Sequence, residues 1–321
     1  MSPILRNFIQ LADGLAFILG MICLAGALAA QGGRFSVRLD LLTHFAPIWL
    51  AGGILALIYG LIRAQFTPQY VLCAIGIGTV LAALALLAPE YLRTLEPNAP
   101  VGVPNQIKIV QLNAWIHNRD VAATTRWLVS QNADVITLDE ITPALRKAIE
   151  DQSGYHYRKG IVDTGIFTRD EPIGTGFLLG DPWNEWPDLA RVRVAVGSQS
   201  AVIMAVHLTW PTELWQIKQR ASLAKIMKRT DPSRLIMIGD FNLTPWSFTL
   251  RDLDKTLGLI RRDRAIFTWP AQPANRWRSK VALLPIDHVY AGSAWRTVDI
   301  HRGPRLGSDH YPIVVTLALK D

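Results

Sequence analysis

The sequence predicts an α/β domain preceded by three membrane-spanning helices. Charge and apolar residues are divided unevenly along the chain. Half of the 321 residues are hydrophobic and only 18% are charged, against about 25% in soluble domains. Residues 1–97 hold five basic and four acidic residues, and the remaining 28 and 22 lie beyond them. After residue 98, short apolar runs alternate with amphipathic ones. At about 150 residues per domain, the length fits two unlike parts. This hydrophobicity excludes intrinsic disorder. Two cysteines exclude a disulfide scaffold and a Cys-rich metal site.

Three apolar stretches fill the first part, at about 11–30, 41–62 and 70–88. Each has the roughly 20 residues that a bilayer crossing needs. A cleaved signal peptide would explain the first alone. The sequence thus describes a multi-pass integral membrane protein with an anchor over 1–97 and the lipid bilayer as a partner. Asp13 lies near a helix end, within reach of the interface. Both cysteines, Cys23 and Cys73, fall within the spans. Arg34, Arg38 and Arg93 on one side outnumber Arg6 and Arg63 on the other. That favours a cytoplasmic carboxy-terminal domain by too narrow a margin to assign the side. Three prolines and a glycine between Glu96 and Pro104 exclude helix, so 98–106 reads as a linker.

The domain over 107–321 alternates strands and helices. Ile107–Leu112, Asp134–Leu138, Arg191–Val196, Ala201–Leu208, Leu235–Ile238, Ile286–Tyr290 and Ile313–Leu317 read as strands. Asp120 is placed to cap a helix through Trp127. Thr212 is placed to cap one reaching Arg229, with Leu214, Trp215, Ala221, Ala224 and Met227 at core spacing. Polar residues gather at the strand ends. They are Asn113, Glu140, His207, Asp240, Asn242, Asp287, Asp309 and His310. Residues distant in sequence converge when strand ends lie side by side. Carboxylates and amides without cysteine suit a hard cation, Mg²⁺ or Mn²⁺. Imidazoles and amides suit phosphate oxygens, and a carboxylate can activate water. The inventory is that of a phosphate-ester hydrolase.

Six runs carry a resemblance. They are Gln111-Leu112-Asn113, Asp134 to Glu140, His207-Leu208, Gly239-Asp240-Phe241-Asn242, Ile286-Asp287-His288-Val289 and Gly307-Ser308-Asp309-His310-Tyr311-Pro312. In this order they resemble the endonuclease/exonuclease/phosphatase superfamily, the DNase I-like metal-dependent phosphohydrolases. The resemblance implies a two-sheet α/β sandwich with the site at one edge. It implies Glu140 as the main metal ligand, Asn113 close to metal and phosphate, and Asp309 helping to hold the metal. Asp240 would orient or deprotonate water. Asn242 and His207 would hold phosphate oxygens. His310, braced by Asp287, would bind phosphate and stabilise charge. The sequence departs from the family's pattern at Asp139, where Gln is usual, and matches it only loosely at Gly165–Arg169.

Plainer roles are expected for other residues. His288 alternates away from Asp287 and packs. His117, His156 and His301 read as surface or packing residues. Trp127 and Trp215 read as core, whereas Trp183, Trp186, Trp269 and Trp277 lie in loops where bases could stack. The basic runs Arg261–Arg264 and Arg276–Lys280 are either phosphate contacts or solvated faces. The expected function is a membrane-anchored, metal-dependent phosphodiesterase or nuclease. The alternatives are hydrolysis of a phospholipid or sphingolipid headgroup or an inositol phosphate, and a non-catalytic membrane protein with a degenerate hydrolase domain. The substrate is a phosphate ester, from nucleic acid or a lipid headgroup. No protein partner is implied.

Overall fold

The computed structural model describes residues 2–66, 69–174, 187–271 and 281–320. The chain forms two compact units, Met1–Arg93 with Trp246–Arg251, and Thr94–Pro245 with Asp252–Asp321.

The first unit contains α1 (Pro3–Gln31), α2 (Val37–Asp40), α3 (Ala46–Ala64) and α4 (Tyr70–Leu92). By length and composition, three helical segments could cross a membrane: Pro3–Arg34, Val37–Ala64 and Tyr70–Leu92. α1 starts before its apolar stretch because the Ser2 hydroxyl accepts from Leu5 N–H at 3.3 Å and Pro3 opens the first turn. The stretch from residue 41 begins as a 3-10 turn, Leu41–Phe45, and turns α-helical at Ala46, with Pro47 in the first turn. Small residues let α3 and α4 approach closely. A Cβ at Gly76 would lie 2.7 Å from the Leu57 backbone nitrogen. Asp13 is paired rather than simply interfacial. Its carboxylate accepts from Tyr59 Oη at 2.8 Å and from Arg63 at 2.9 and 3.0 Å. Asp40, at the end of α2, accepts from the backbone N–H groups of Phe248 and Thr249 at 2.8 and 2.9 Å.

The second unit runs β1 (Gln106–Asn113), α5 (Val121–Ser130), β2 (Val135–Asp139), α6 (Pro143–Gln152), β3 (His156–Lys159) and β4 (Gly165–Thr168). It continues with β5 (Asp188–Val196), β6 (Gln199–His207), α7 (Leu214–Met227) and β7 (Leu235–Asp240), and resumes at Asp252 within α8 (Phe248–Leu257), whose first turn belongs to the first unit. It ends with β8 (Ile260–Arg261), β9 (Asp287–Ala291), β10 (Trp295–Arg302) and β11 (Ile313–Leu319). One sheet has the order β10-β11-β1-β2-β4-β3 and the other β5-β6-β7-β9-β8. β1 with β2 and β6 with β7 are parallel, and the other pairings are antiparallel.

Strand alternation builds the layers. Ile107 and Ile109 of β1 join Ile203, Ile238 and Val289 in the core between the sheets. Val110 and Leu112 face the other way, against Leu128 of α5 and Leu145 of α6. The fold is the expected two-sheet α/β sandwich.

Two local expectations change. α7 opens at Glu213 without a side-chain cap, so Thr212 does not cap it, and it ends at Met227. The Pro-rich stretch before β1 has no helix or strand, but it is tied down. Ala99 N–H donates to the Thr297 carbonyl at 2.7 Å, and Glu96 meets Arg262 at 3.0 Å and Lys320 at 3.4 Å.

Gly239 is the penultimate residue of β7, paired with His288 of β9, and sits at φ +153°. A Cβ there would overlap the Val206 carbonyl oxygen of the neighbouring strand. Gly239→Ala should therefore cost about 2 kcal/mol or more. Denaturant unfolding checks this, and wild-type stability would contradict it.

Candidate active site

At one end of the sandwich the inter-sheet positions change from apolar to polar. The period that places Ile107 and Ile109 inward also places Gln111 and Asn113 there. On β2 it places Asp139 there, on β6 His207, on β7 Asp240 and on β9 Asp287. Buried polar groups must find partners, and most of these find one another.

Asn113, which is buried, donates from Nδ2 to Glu140 Oε1 at 3.0 Å and to Asp240 Oδ2 at 3.1 Å. Its Oδ1 accepts from Trp115 N–H at 3.0 Å. Glu140 follows β2 at φ +52°, a left-handed turn that re-aims its side chain. Its Oε2 accepts from Ile116 N–H at 3.2 Å. Asp240 Oδ1 accepts from Asn242 N–H at 2.8 Å. The Asn242 amide donates to the Leu208 carbonyl at 2.8 Å and to Asp240 at 3.3 Å, while its buried Oδ1 has no partner. The amide nitrogen expected on phosphate is therefore committed to the protein.

His310 and Asp287 meet as expected, Nδ1 to Oδ2 at 2.9 Å. His310 Nε2 lies 3.7 Å from Asp240 Oδ2. Burial opposes charge on His310, yet the Asp287 and Asp240 carboxylates outweigh it and push its pKa up to about 10. Burial and the Asp287 charge hold Asp240 above the usual carboxylate range, against the pull of both imidazoles. Asp309 Oδ2 accepts from Trp269 Nε1 at 3.1 Å. Burial raises Asp309 too, and the Glu140 charge adds to it.

Gln111, Asp139 and Ser308, which lie in the six runs without an expected role, join this network, as do Asp163 and Asp188 from outside the runs. Asp139 faces inward, where its Oδ2 accepts from Gln111 at 3.2 Å and from Asp240 N–H at 3.0 Å. Burial pushes its carboxyl well above the ordinary value. Gln111 also reaches Asp287 at 3.0 Å. Ser308 Oγ donates to the Asn113 carbonyl at 2.6 Å. His207 Nδ1 lies 3.5 Å from Asp163. Asp188, opposite His207 in the β5–β6 register, holds the Asp163 loop. Its carboxylate accepts from Val162, Asp163 and Thr164 N–H and from Thr164 Oγ1, all at 2.8–2.9 Å. The only sequence signal for the pair was two acids without a motif.

Among the described residues, two groups of possible ligands converge within 4.8 Å, Asp163-Asp188-His207 and Asp240-Asp287-His310. In both, the imidazole is already paired with a carboxylate, and Asp188 has four donors. Glu140 and Asp309 are two partly exposed oxygen donors, and the Glu140 charge adds to the burial that raises Asp309, a cost that a hard divalent ion would relieve.

Other expectations resolve case by case. His288 is buried between Asp263 Oδ2 and the Leu243 carbonyl, each at 2.8 Å. His117 is exposed, while His156 and His301 pair with Glu171 and Asp299. Arg261 and Arg262 are neither solvated nor turned to a ligand. They are buried on Asp254 and Glu96. Trp269 sits edge-on to Trp210 at 5.5 Å. Trp127 packs against the α5–α6 core, but Trp215 is exposed. Gln216 and Gln219 take the inward face of α7 instead, bonding Thr209 at 2.7–3.1 Å. Trp183, Trp186, Trp277 and Arg276–Lys280 lie outside the described residues.

The His207–Asp163 pair has a signed pH dependence. Burial lowers the His207 pKa, but the nearby Asp163, Asp139 and Asp240 carboxylates push it up to about 10. A raised histidine contributes stability fully below its unfolded value, about 6.5, and loses it as pH rises through about 10. Asp163→Asn should be less stable than wild type at pH 7, with the gap closing above pH 10. Denaturation at both pH values tests this, and a gap that does not depend on pH would refute it.

Comparison with known proteins follows the same lines. The model of the Endonuclease/Exonuclease/phosphatase family matches residues 110–310. No curated protein matches the chain. Among solved structures, a family protein from Leptotrichia buccalis has a TM-score of 0.53 at 14% identity, over 66% of this chain and 100% of that one. D. rerio TDP2 complexed with single strand DNA product gives 0.51 at 18%, over 66% and 98%. The endonuclease domain of TRAS1, a telomere-specific non-LTR retrotransposon, gives 0.51 at 14%, over 67% and 100%. At these identities the likeness is one of fold.

Proposed function

The chain belongs to the endonuclease/exonuclease/phosphatase family, and from that premise we propose that it is a membrane-anchored, divalent-metal-dependent phosphodiesterase. One observation carries the reading. The Asn113 amide brings Glu140 and Asp240 to a single point, at 3.0 and 3.1 Å.

In this reading Glu140, with Asp309 and Asn113, holds Mg²⁺ or Mn²⁺. The bound cation supplies Lewis-acid polarisation of a phosphoryl oxygen. Asp240 accepts the proton of the attacking water, and its raised pKa makes it the stronger base. The Asn242 backbone N–H and side chain fix that carboxylate. His310, kept cationic by Asp287, binds a phosphate oxygen and stabilises developing charge through Nε2. His207 supplies a second positive charge to the phosphate.

Two sources of phosphodiester fit. Nucleic acid is supported by the fold shared with DNA-bound TDP2 and with the TRAS1 endonuclease domain. A phospholipid or sphingolipid headgroup is supported by three helices long and apolar enough to hold the site at a bilayer.

The test is a panel of plasmid, single-stranded RNA, sphingomyelin and inositol phosphates, each with Mg²⁺ and with EDTA. Glu140→Gln and Asp240→Asn should each lower kcat/KM roughly 10²–10⁴-fold on the substrate that is cut. Wild-type turnover in either variant, or in EDTA, would refute the assignment.

A further inference from the structure

α7 presents outward a face that the site chemistry does not use. The helix is fixed at its start, because Gln216 and Gln219 bond Thr209, two residues past His207. With Ser222, Leu223, Ile226 and Met227 also buried, its rotation is set. Leu214 is left 79% exposed, with Trp215 and Ile217 at 42% each. Trp210, in the preceding loop, is 43% exposed and leans on Trp269, the donor to Asp309. Further along, the exposed charged residues are Lys218, Lys225, Lys228 and Arg229. Between Thr212 and Thr230 the sequence carries one acid, Glu213, just before the helix.

We propose that this face of α7 docks on an anionic lipid bilayer surface. Single exposed apolar residues are ordinary on soluble proteins, whereas an apolar patch rimmed by charge marks an interaction or membrane surface. Tryptophan suits the headgroup layer, and leucine and isoleucine suit the acyl boundary below it. Lys218, which stacks on Trp215 at 4.8 Å, can bury its stem and keep its charge in water. The remaining basic residues complement anionic headgroups. Nucleic acid would use the lysines and tryptophans, but it gives Leu214 and Ile217 nothing to bury against. The inference rests on the proposed membrane anchoring. A tethered domain needs only weak affinity, because its effective concentration at the bilayer is high. Docking through α7 would hold the His207 end of the sandwich at the headgroup layer.

The full chain, with Cys23→Ala and Cys73→Ala, is labelled at Leu214→Cys with an environment-sensitive fluorophore. It is reconstituted into phosphatidylcholine vesicles with or without phosphatidylserine. A second sample carries the label at Lys147→Cys, on the exposed face of α6. Phosphatidylserine should shift the 214 emission to the blue and shield it from an aqueous quencher, and should leave the 147 probe unchanged. Reversing Lys218, Lys225 or Lys228 to Glu should weaken the docking about five-fold or more per site. Equal quenching of the 214 probe in both vesicle types would overturn the proposal. Shielding by an added oligonucleotide instead of anionic lipid would also overturn it. Alkaline extraction of the chain reports a failure of anchoring, and the substrate panel reports a failure of the phosphodiesterase reading. Neither readout depends on the 214 probe.

Discussion

Everything at the working end of this sandwich depends on hydrogen bonds that cross between the sheets. Two apolar faces can seal along most of their length. They cannot do so where both present carboxylates, because a buried unpaired charge costs several kcal/mol. The Asp139 carboxyl on one sheet therefore accepts from the Asp240 backbone on the other, and Gln111 ties Asp139 to Asp287. Asn113 completes the lattice by reaching Asp240. These bonds align the two sheets at the place where the family's chemistry is expected, so positioning and satisfaction of buried groups are one requirement.

The same crowding sets the electrostatics. Asp240 stands near Asp287 and out of water, which drives its pKa up. The two imidazoles stand near several carboxylates, which keeps both charged despite burial. One cluster thus supplies a carboxylate with an enhanced taste for protons beside two cations suited to phosphate. A single negative environment raises both kinds of group, which favours the neutral carboxyl and the charged imidazole.

Strand positions were legible because period-two alternation is a local signal. The polar strand ends were legible because they interrupt it. Trp215 was misread because the spacing that suggested core also fits a helix whose inward face is polar. Gln216 and Gln219 win that face by bonding Thr209, a contact outside the helix. Asp163 and Asp188 escaped notice because their partnership is made by backbone N–H groups of a loop, and no side-chain pattern records those. Arg261 and Arg262 read in sequence as phosphate contacts or a solvated face because a charge run normally meets water or a ligand. Their burial follows from Asp254 and Glu96, which only the fold brings near.

The adjacent acids Asp139 and Glu140 show how one backbone dihedral separates two roles. In a continued strand they would point to opposite faces, Asp139 into the space between the sheets and Glu140 toward the helices. A carboxylate among Leu138, Leu128 and Leu145 would have no partner there. The left-handed φ of Glu140 breaks the strand and turns its side chain to Asn113 and the Ile116 N–H. Strain of this kind costs about 1–3 kcal/mol and persists only where neighbouring contacts enforce it. Here Ile141 N–H is held by the Asp163 carbonyl at 2.9 Å, just past the turn. The loop pinned by Asp188 thus stabilises the turn at Glu140 as well as meeting His207. Asp139, left on the inner face, serves Gln111 and the Asp240 backbone, so the two neighbouring carboxylates take separate partners.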